Sequence, residues 1–171
     1  GMTKTTSYTT NRRGLFGILG TGAATAVLAA CGSGAQAKSF PVARSEAEWK
    51  KRLTKAEFTV LREEGTERPY SSPLNEEKRK GVYACAGCGN AVYSSRTKFE
   101  SGTGWPSFWE PMSEDAVSTE SDHTYGVRRV EVLCNRCDAH LGHVFDDGPA
   151  PTHKRYCINS ASLQLDQNQK V

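Results

Sequence analysis

The sequence has no acidic residue before position 32 and no charged residue at all between Gly14 and Ala37. Lys4, Arg12 and Arg13 therefore stand as an isolated basic group at the front of the chain. Beyond them there is no surplus of either sign: of 22 basic and 19 acidic residues, nineteen of each remain. That balance excludes a nucleic-acid binder, whose phosphate contacts demand a basic face. No apolar run reaches the roughly 20 residues that span a bilayer, since Leu15 to Ala30 is short and rich in Gly and Ala. No repeat of 20–50 residues is present beyond two Cys pairs, which excludes solenoids and propellers. A chain of 171 residues, 37% apolar, builds one core and not two full domains.

What the leading segment does contain is the pattern of an export signal. Gly1 ahead of Met2 reads as an addition before the native start. Arg12-Arg13 followed by Gly14-Leu15-Phe16 resembles the twin-arginine signal, with Asn11 where Ser or Thr is commoner. Leu28-Ala29-Ala30-Cys31 resembles a bacterial lipobox, in which the chain is cut before the cysteine and the sulfur carries the lipid; the alternative is an ordinary signal that ends near a spare thiol. The expected organisation is an export signal over 1–31, a small-residue tether over 32–44, a folded domain over 45–165 and a polar tail over 166–171. The expected location is the periplasm or a membrane-anchored lipoprotein, with membrane contact only through a lipid on Cys31.

Ser45-Glu46-Ala47-Glu48 and Thr54-Lys55-Ala56-Glu57 both match the capping box, so each opens a short helix. Trp49 with Leu53, and Phe58 with Leu61, have the spacing of a core-facing stripe, and Gly65 is placed to end the second helix. After Pro69 and Pro73 the texture changes to short β-branched and aromatic segments, Val82-Tyr83-Ala84, Ala91-Val92-Tyr93 and Val130-Glu131-Val132-Leu133, divided by turn residues. This half reads as antiparallel β.

Cys85-Ala-Gly-Cys88 and Cys134-Asn-Arg-Cys137 each put two thiols two residues apart at the end of an expected strand, the knuckle arrangement that turns both sulfurs to one ion. Two knuckles complete a tetrahedral zinc site, closed to substrate and therefore structural. Three other readings compete: disulfides, favoured by export; a redox-active Cys85-Ala-Gly-Cys88; and a metal on Cys134, Cys137, His140 and His143, which would strand the first pair.

In Lys154-Arg155-Tyr156-Cys157-Ile158-Asn159-Ser160 a strand period puts Arg155, Cys157 and Asn159 on one face. A guanidinium beside a thiol favours the thiolate, and an amide can donate to a developing anion. The alternative is a small buried hydrophobe at Cys157. His140-Leu141-Gly142-His143 suggests a turn at Gly142 that brings two imidazoles to one pocket. The cluster Gly102 to Trp109 reads either as a core plug or as a wall for a small apolar group.

Together these segments closely resemble the peptide-methionine (R)-S-oxide reductases, the B-type enzymes. The match rests on Cys85-Ala-Gly-Cys88, Ser101-Gly-Thr-Gly-Trp105-Pro-Ser-Phe108, Cys134-Asn-Arg-Cys137-Asp-Ala-His140-Leu-Gly-His143-Val-Phe145 and Arg155-Tyr-Cys157-Ile-Asn159-Ser-Ala-Ser162. It implies a mainly β fold with two antiparallel sheets, short N-terminal helices and one structural zinc on Cys85, Cys88, Cys134 and Cys137. It implies that Cys157 is the nucleophile, that His140, His143 and Asn159 form its polar pocket, that Arg155 favours the thiolate, and that Trp105 packs on the substrate's methyl group. The implied reaction, repair of oxidised protein substrates, turns Cys157 into a sulfenic acid. Family members with an internal resolving thiol often carry it two positions before the tryptophan, where this chain has Thr103. Recycling then falls to a thioredoxin-like donor, to Cys31 on its tether, or to another small thiol. Two other classes are a non-catalytic zinc-knuckle binding module, which has no need of Cys157, and a general disulfide oxidoreductase, which needs Cys85 and Cys88 free of metal.

Overall fold

The computed structural model describes residues 38–169 and Val171. Arg12-Arg13 and Leu28 to Cys31 lie outside the described residues. Both capping boxes form as read. In α1 (Glu46–Arg52) and α2 (Lys55–Arg62), Ser45 and Thr54 accept from the N3 backbone N–H while Glu48 and Glu57 reach back to the N-cap. Trp49, Leu53, Phe58 and Leu61 are all buried. The second helix ends through two residues: Glu64 takes the left-handed conformation (φ 55°), and Gly65 closes on Thr59 O at 2.9 Å, where a Cβ would collide at 2.8 Å.

Nine strands follow among the described residues: β1 (Val82–Cys85), β2 (Ala91–Ser94), β3 (Lys98–Phe99), β4 (Ser107–Phe108), β5 (Val117–Asp122), β6 (Arg129–Cys134), β7 (His140–Phe145), β8 (Arg155–Ile158) and β9 (Leu163–Asp166). They make two antiparallel sheets, one of three strands ordered β2-β1-β9 and one of six ordered β3-β4-β8-β7-β6-β5. The fold is mainly β, as expected. Between the sheets, Tyr93 stacks on Phe108 with ring centroids 4.5 Å apart, and Tyr83 meets the same ring edge-on at 5.0 Å.

Both expected boundaries shift. From Lys38 the tether lies on the domain: Val42 N–H donates to Arg136 O at 3.0 Å, and Lys38 pairs with Glu120. At the other end, Asp166 pairs with Val82 inside β9 and so belongs to the sheet, not to a tail. No helix among the described residues is long and apolar enough to cross a membrane.

The register of the large sheet matters most for the site. Ser107 pairs with Cys157, Cys157 with His143, and His143 with Glu131. Directly paired residues share a face, so β4, β8, β7 and β6 present one row of reactive side chains. Their neighbours Phe108, Tyr156 and Ile158 face the core.

Candidate functional site

The two knuckles are copies of one turn. Cys85 N–H donates to Asn90 O and Gly89 N–H to Cys85 O; Cys134 N–H donates to Ala139 O and Asp138 N–H to Cys134 O, all at 2.8–2.9 Å. The turn requires a left-handed residue after the second cysteine, supplied by Gly89 (φ 73°) in one copy and Asp138 (φ 56°) in the other. Arg62 on α2 donates to Cys137 O and Asp138 O, which fastens the second knuckle to the helix.

All four sulfurs lie within 4.8 Å of one another, with Cys85 Sγ 3.8 Å from Cys137 Sγ and Cys88 Sγ 3.6 Å from Cys134 Sγ. Four sulfurs about 2.3 Å from a central ion sit about 3.8 Å apart. A disulfide requires about 2.05 Å. The cluster is thus shaped to hold a metal ion, and the described cysteines form no disulfide. The ligand set that included His140 and His143 is overturned, because both imidazoles turn to carboxylates on β6 and β5: His140 Nδ1 is 2.6 Å from Glu131 Oε1 and His143 Nε2 is 2.8 Å from Asp122 Oδ2.

No turn occurs at Gly142, contrary to expectation. Residues 140–145 are one strand, and the imidazoles share a face because the register slips by one residue between Val132/Leu133. The extra residue is a β-bulge, which re-aims His140 and leaves the two rings 5.4 Å apart. Gly142 serves close approach instead. A Cβ there would lie 2.1 Å from Cys157 O and 3.0 Å from Ile158 Cα.

A cavity of about 130 Å³ is lined by Cys157, His143, Asn159 and Trp105, together with Thr66, Arg129, Gly142 and Phe145. Four of the expected residues therefore meet in one pocket. His140 lines a second cavity of about 420 Å³ that shares His143 with the first, alongside Glu64, Asp122 and Glu131. Arg155 lines neither. It holds Asp147 through two contacts of 2.8 and 2.9 Å and stacks over Phe145.

The electrostatics revise the expectation for the thiolate. Burial pushes the Cys157 thiol above its ordinary 9.0, and the opposing pull of Thr103 and Arg155 does not overcome it. Asp147 explains part of this, since it neutralises the guanidinium and itself disfavours a nearby anion. Burial also lowers both imidazoles from 6.5, His143 being partly compensated by Asp122. Glu131 goes the other way: burial first, then Glu64, raises its carboxyl to about 7.

Asn159 is committed to the scaffold more than to an anion. Its amide donates to Leu141 O at 3.1 Å, and its Oδ1 accepts from Glu67 N–H at 3.1 Å. Glu67 was missed by the sequence reading. Its carboxylate takes the N–H groups of Ser160 and Ala161, and its carbonyl accepts from Trp105 Nε1 at 3.1 Å, so one residue orients both Trp105 and Asn159. Glu131, Asp122 and Arg129 were missed as well. Only Glu131 had a signal, as the polar residue alternating with Val130 and Val132.

Comparison with known proteins adds the lineage. The SelR domain matches residues 53–167. The peptide methionine sulfoxide reductase MsrB of Methanosarcina barkeri is 60% identical over 124 residues, covering 72% of this chain and 87% of its own length. The chain belongs to the MsrB family. The MsrB of Bradyrhizobium diazoefficiens is 52% identical over 125 residues, covering 73% and 90% respectively, and that of Leptospira interrogans is 48% identical over 127, covering 74% and 97%. Every residue named above, from Arg62 to Ala161, falls within the span matched by the SelR domain.

Proposed function

We propose that this protein reduces methionine (R)-sulfoxide in oxidised proteins, with Cys157 as nucleophile. The observation that carries the reading is the single pocket in which Cys157 and His143, directly paired across β8 and β7, meet the Trp105 wall. The thiol gives up its proton and the thiolate attacks the sulfoxide sulfur while His143 or His140 passes a proton to the sulfoxide oxygen. Oxygen ends on Cys157 as a sulfenic acid and the thioether leaves. One proton is lost by the thiol and one gained by oxygen, so the step balances. Trp105 offers its face to the methyl group, and Glu67 keeps that face in place. The R preference is the one the family resemblance implies.

The metal on Cys85, Cys88, Cys134 and Cys137 is zinc in this reading. Bound by four thiolates it supplies folding energy and no open coordination position. A thioredoxin-like dithiol then reduces the sulfenic acid, releasing water. What supports an outside donor is that the four other described cysteines are in the metal cluster, while Thr103 sits beside Cys157. Export with lipidation at Cys31 completes the proposal; an intact mass showing the diacylglycerol adduct after cleavage before Cys31 tests it.

The decisive test is single-turnover reduction of R and S sulfoxide peptides, with Cys157 followed by mass. The R peptide is expected to be consumed with one oxygen added at Cys157. Undiminished reduction by Cys157→Ser would overturn the assignment.

A further inference from the structure

Three hydroxyls connect the pocket sulfur to a backbone carbonyl. Thr103 Oγ1 lies 3.9 Å from Cys157 Sγ, Ser101 Oγ is 2.8 Å from Thr103 Oγ1 and 2.7 Å from Ser107 Oγ, and Ser107 Oγ is 3.1 Å from Trp105 O. Counting donors fixes the direction of this chain. Each hydroxyl has one proton and a carbonyl can only accept. Ser107 therefore donates to Trp105 O, Ser101 to Ser107, and Thr103 to Ser101. What Thr103 has left for Cys157 is a lone pair, which a thiol satisfies and a thiolate does not.

The loop that carries the chain is held still. Gly102 (φ 71°) and Gly104 (φ 91°) both have left-handed backbones, Tyr70 OH donates to Gly102 O at 2.6 Å, and Tyr70 N–H donates to Gly104 O at 2.8 Å. A Cβ on Gly104 would meet Pro69 and the Tyr70 ring at 2.7 Å. The oxygens are fixed, yet each proton can swing about its C–O bond without moving a heavy atom. Reversal of all three hydroxyls lets Ser107 donate to Ser101, Ser101 to Thr103, and Thr103 to the sulfur.

We propose that Ser107, Ser101 and Thr103 form a reversible hydroxyl relay that turns round when Cys157 loses its proton, making Thr103 a catalytic residue that donates to the thiolate. The proposal rests on Cys157 being the nucleophile. Other charged and polar groups also face that sulfur. Arg155, two residues along the same strand, draws the sulfur towards its anion but shares its charge with Asp147, and Arg129 lines the same pocket. His143, opposite on β7, is held towards its neutral form by burial. Ser107, opposite on β4, reaches the sulfur only through the relay. In the resting direction the Ser107 contact to Trp105 O is a latch, and breaking it is the cost of reversal.

This arrangement predicts opposite effects at its two ends. The measurement is the pH dependence of iodoacetamide alkylation of Cys157 in the full chain with its metal bound, read by peptide mass. Thr103→Val removes the donor, so the midpoint moves up and alkylation at neutral pH falls about tenfold, the loss of one charge-assisted hydrogen bond of about 1.4 kcal/mol. Thr103→Ser restores the wild-type profile. Ser107→Ala removes the latch, so the midpoint moves down and alkylation rises about threefold. An unchanged profile in Thr103→Val, or a shift of Ser107→Ala in the same direction as Thr103→Val, overturns the relay. Reductase activity is not needed for this readout. A Cys157→Ser enzyme that still reduced sulfoxides would remove the proposed function, while the alkylation profiles would still decide the relay.

Discussion

Gly142 lies against the backbone of Cys157, with room for a hydrogen and nothing larger: a Cβ would stand 2.1 Å from the Cys157 carbonyl oxygen. Because the obstacle is backbone on a central strand, no side chain can swing aside. Gly142→Ala must push β7 away from β8 and separate His143 from Cys157. A loss of about 3 kcal/mol in urea denaturation is expected, with single-turnover reduction falling further than stability alone explains. An alanine variant as active as the wild type would show that the strands need not touch here.

Metal removal tests the other end of the fold. Structural zinc bound by thiolates contributes on the order of 10 kcal/mol, so a chelator is expected to lower Tm by at least about 10 °C or abolish the cooperative transition. Cys134→Ser should bind less than one zinc per chain and unfold in the same way. An unchanged melt would mean that the sulfurs hold the sheets without an ion.

Glu131 makes a prediction about pH. Its folded carboxyl is raised to about 7 from 4.5, so the folded state favours the protonated form. The associated stability is complete below pH 4.5 and is lost as pH rises through about 7. Glu131→Gln lacks that loss. The Tm of the variant relative to wild type should therefore climb by a few degrees between pH 4.5 and 7 and then level off, while a gap independent of pH would disprove the buried carboxylic acid.

Thr103 is also a test of reach. With Thr103 Oγ1 3.9 Å from Cys157 Sγ, a sulfur on residue 103 needs to approach by about 2 Å to bond. Thr103→Cys is expected to convert the sulfenic acid into an internal disulfide after one turnover, releasing water and leaving a protein two hydrogens lighter than the thiol form. Wild-type protein treated in the same way should keep its oxygen.

The features legible in the sequence were the local ones. A capping box is closed within four residues and a knuckle within six, so Ser45, Thr54 and the four cluster cysteines could be assigned from spacing. The alternation around Cys157 also held, because β8 is regular. Features set by pairing between distant strands were not legible. The imidazoles share a face through a one-residue slip against β6, which no pattern within His140 to His143 encodes, and so a turn was inferred where a bulge exists. Glu67 lies in an irregular segment without periodicity, and Asp122 and Arg129 reach the site from the ends of a different hairpin. Arg155 pulls Cys157 towards the thiolate, but the net balance was not legible, for a related reason. Spacing placed the cation near the thiol but could not reveal that Asp147 had already claimed it or that burial would outweigh it.

The knuckle cysteines sit at the ends of β1 and β6, which belong to different sheets. That has a kinetic meaning. The pairing of β1 with β9 joins residue 85 to residue 163, one of the longest closures in the fold, and such closures slow the search for the native state. Once an ion links 85 to 134, the chain left to close runs only from 134 to 163. An early metal would thus act as a shortcut in assembly, and chain that meets its metal late should refold slowly even where the finished protein is equally stable.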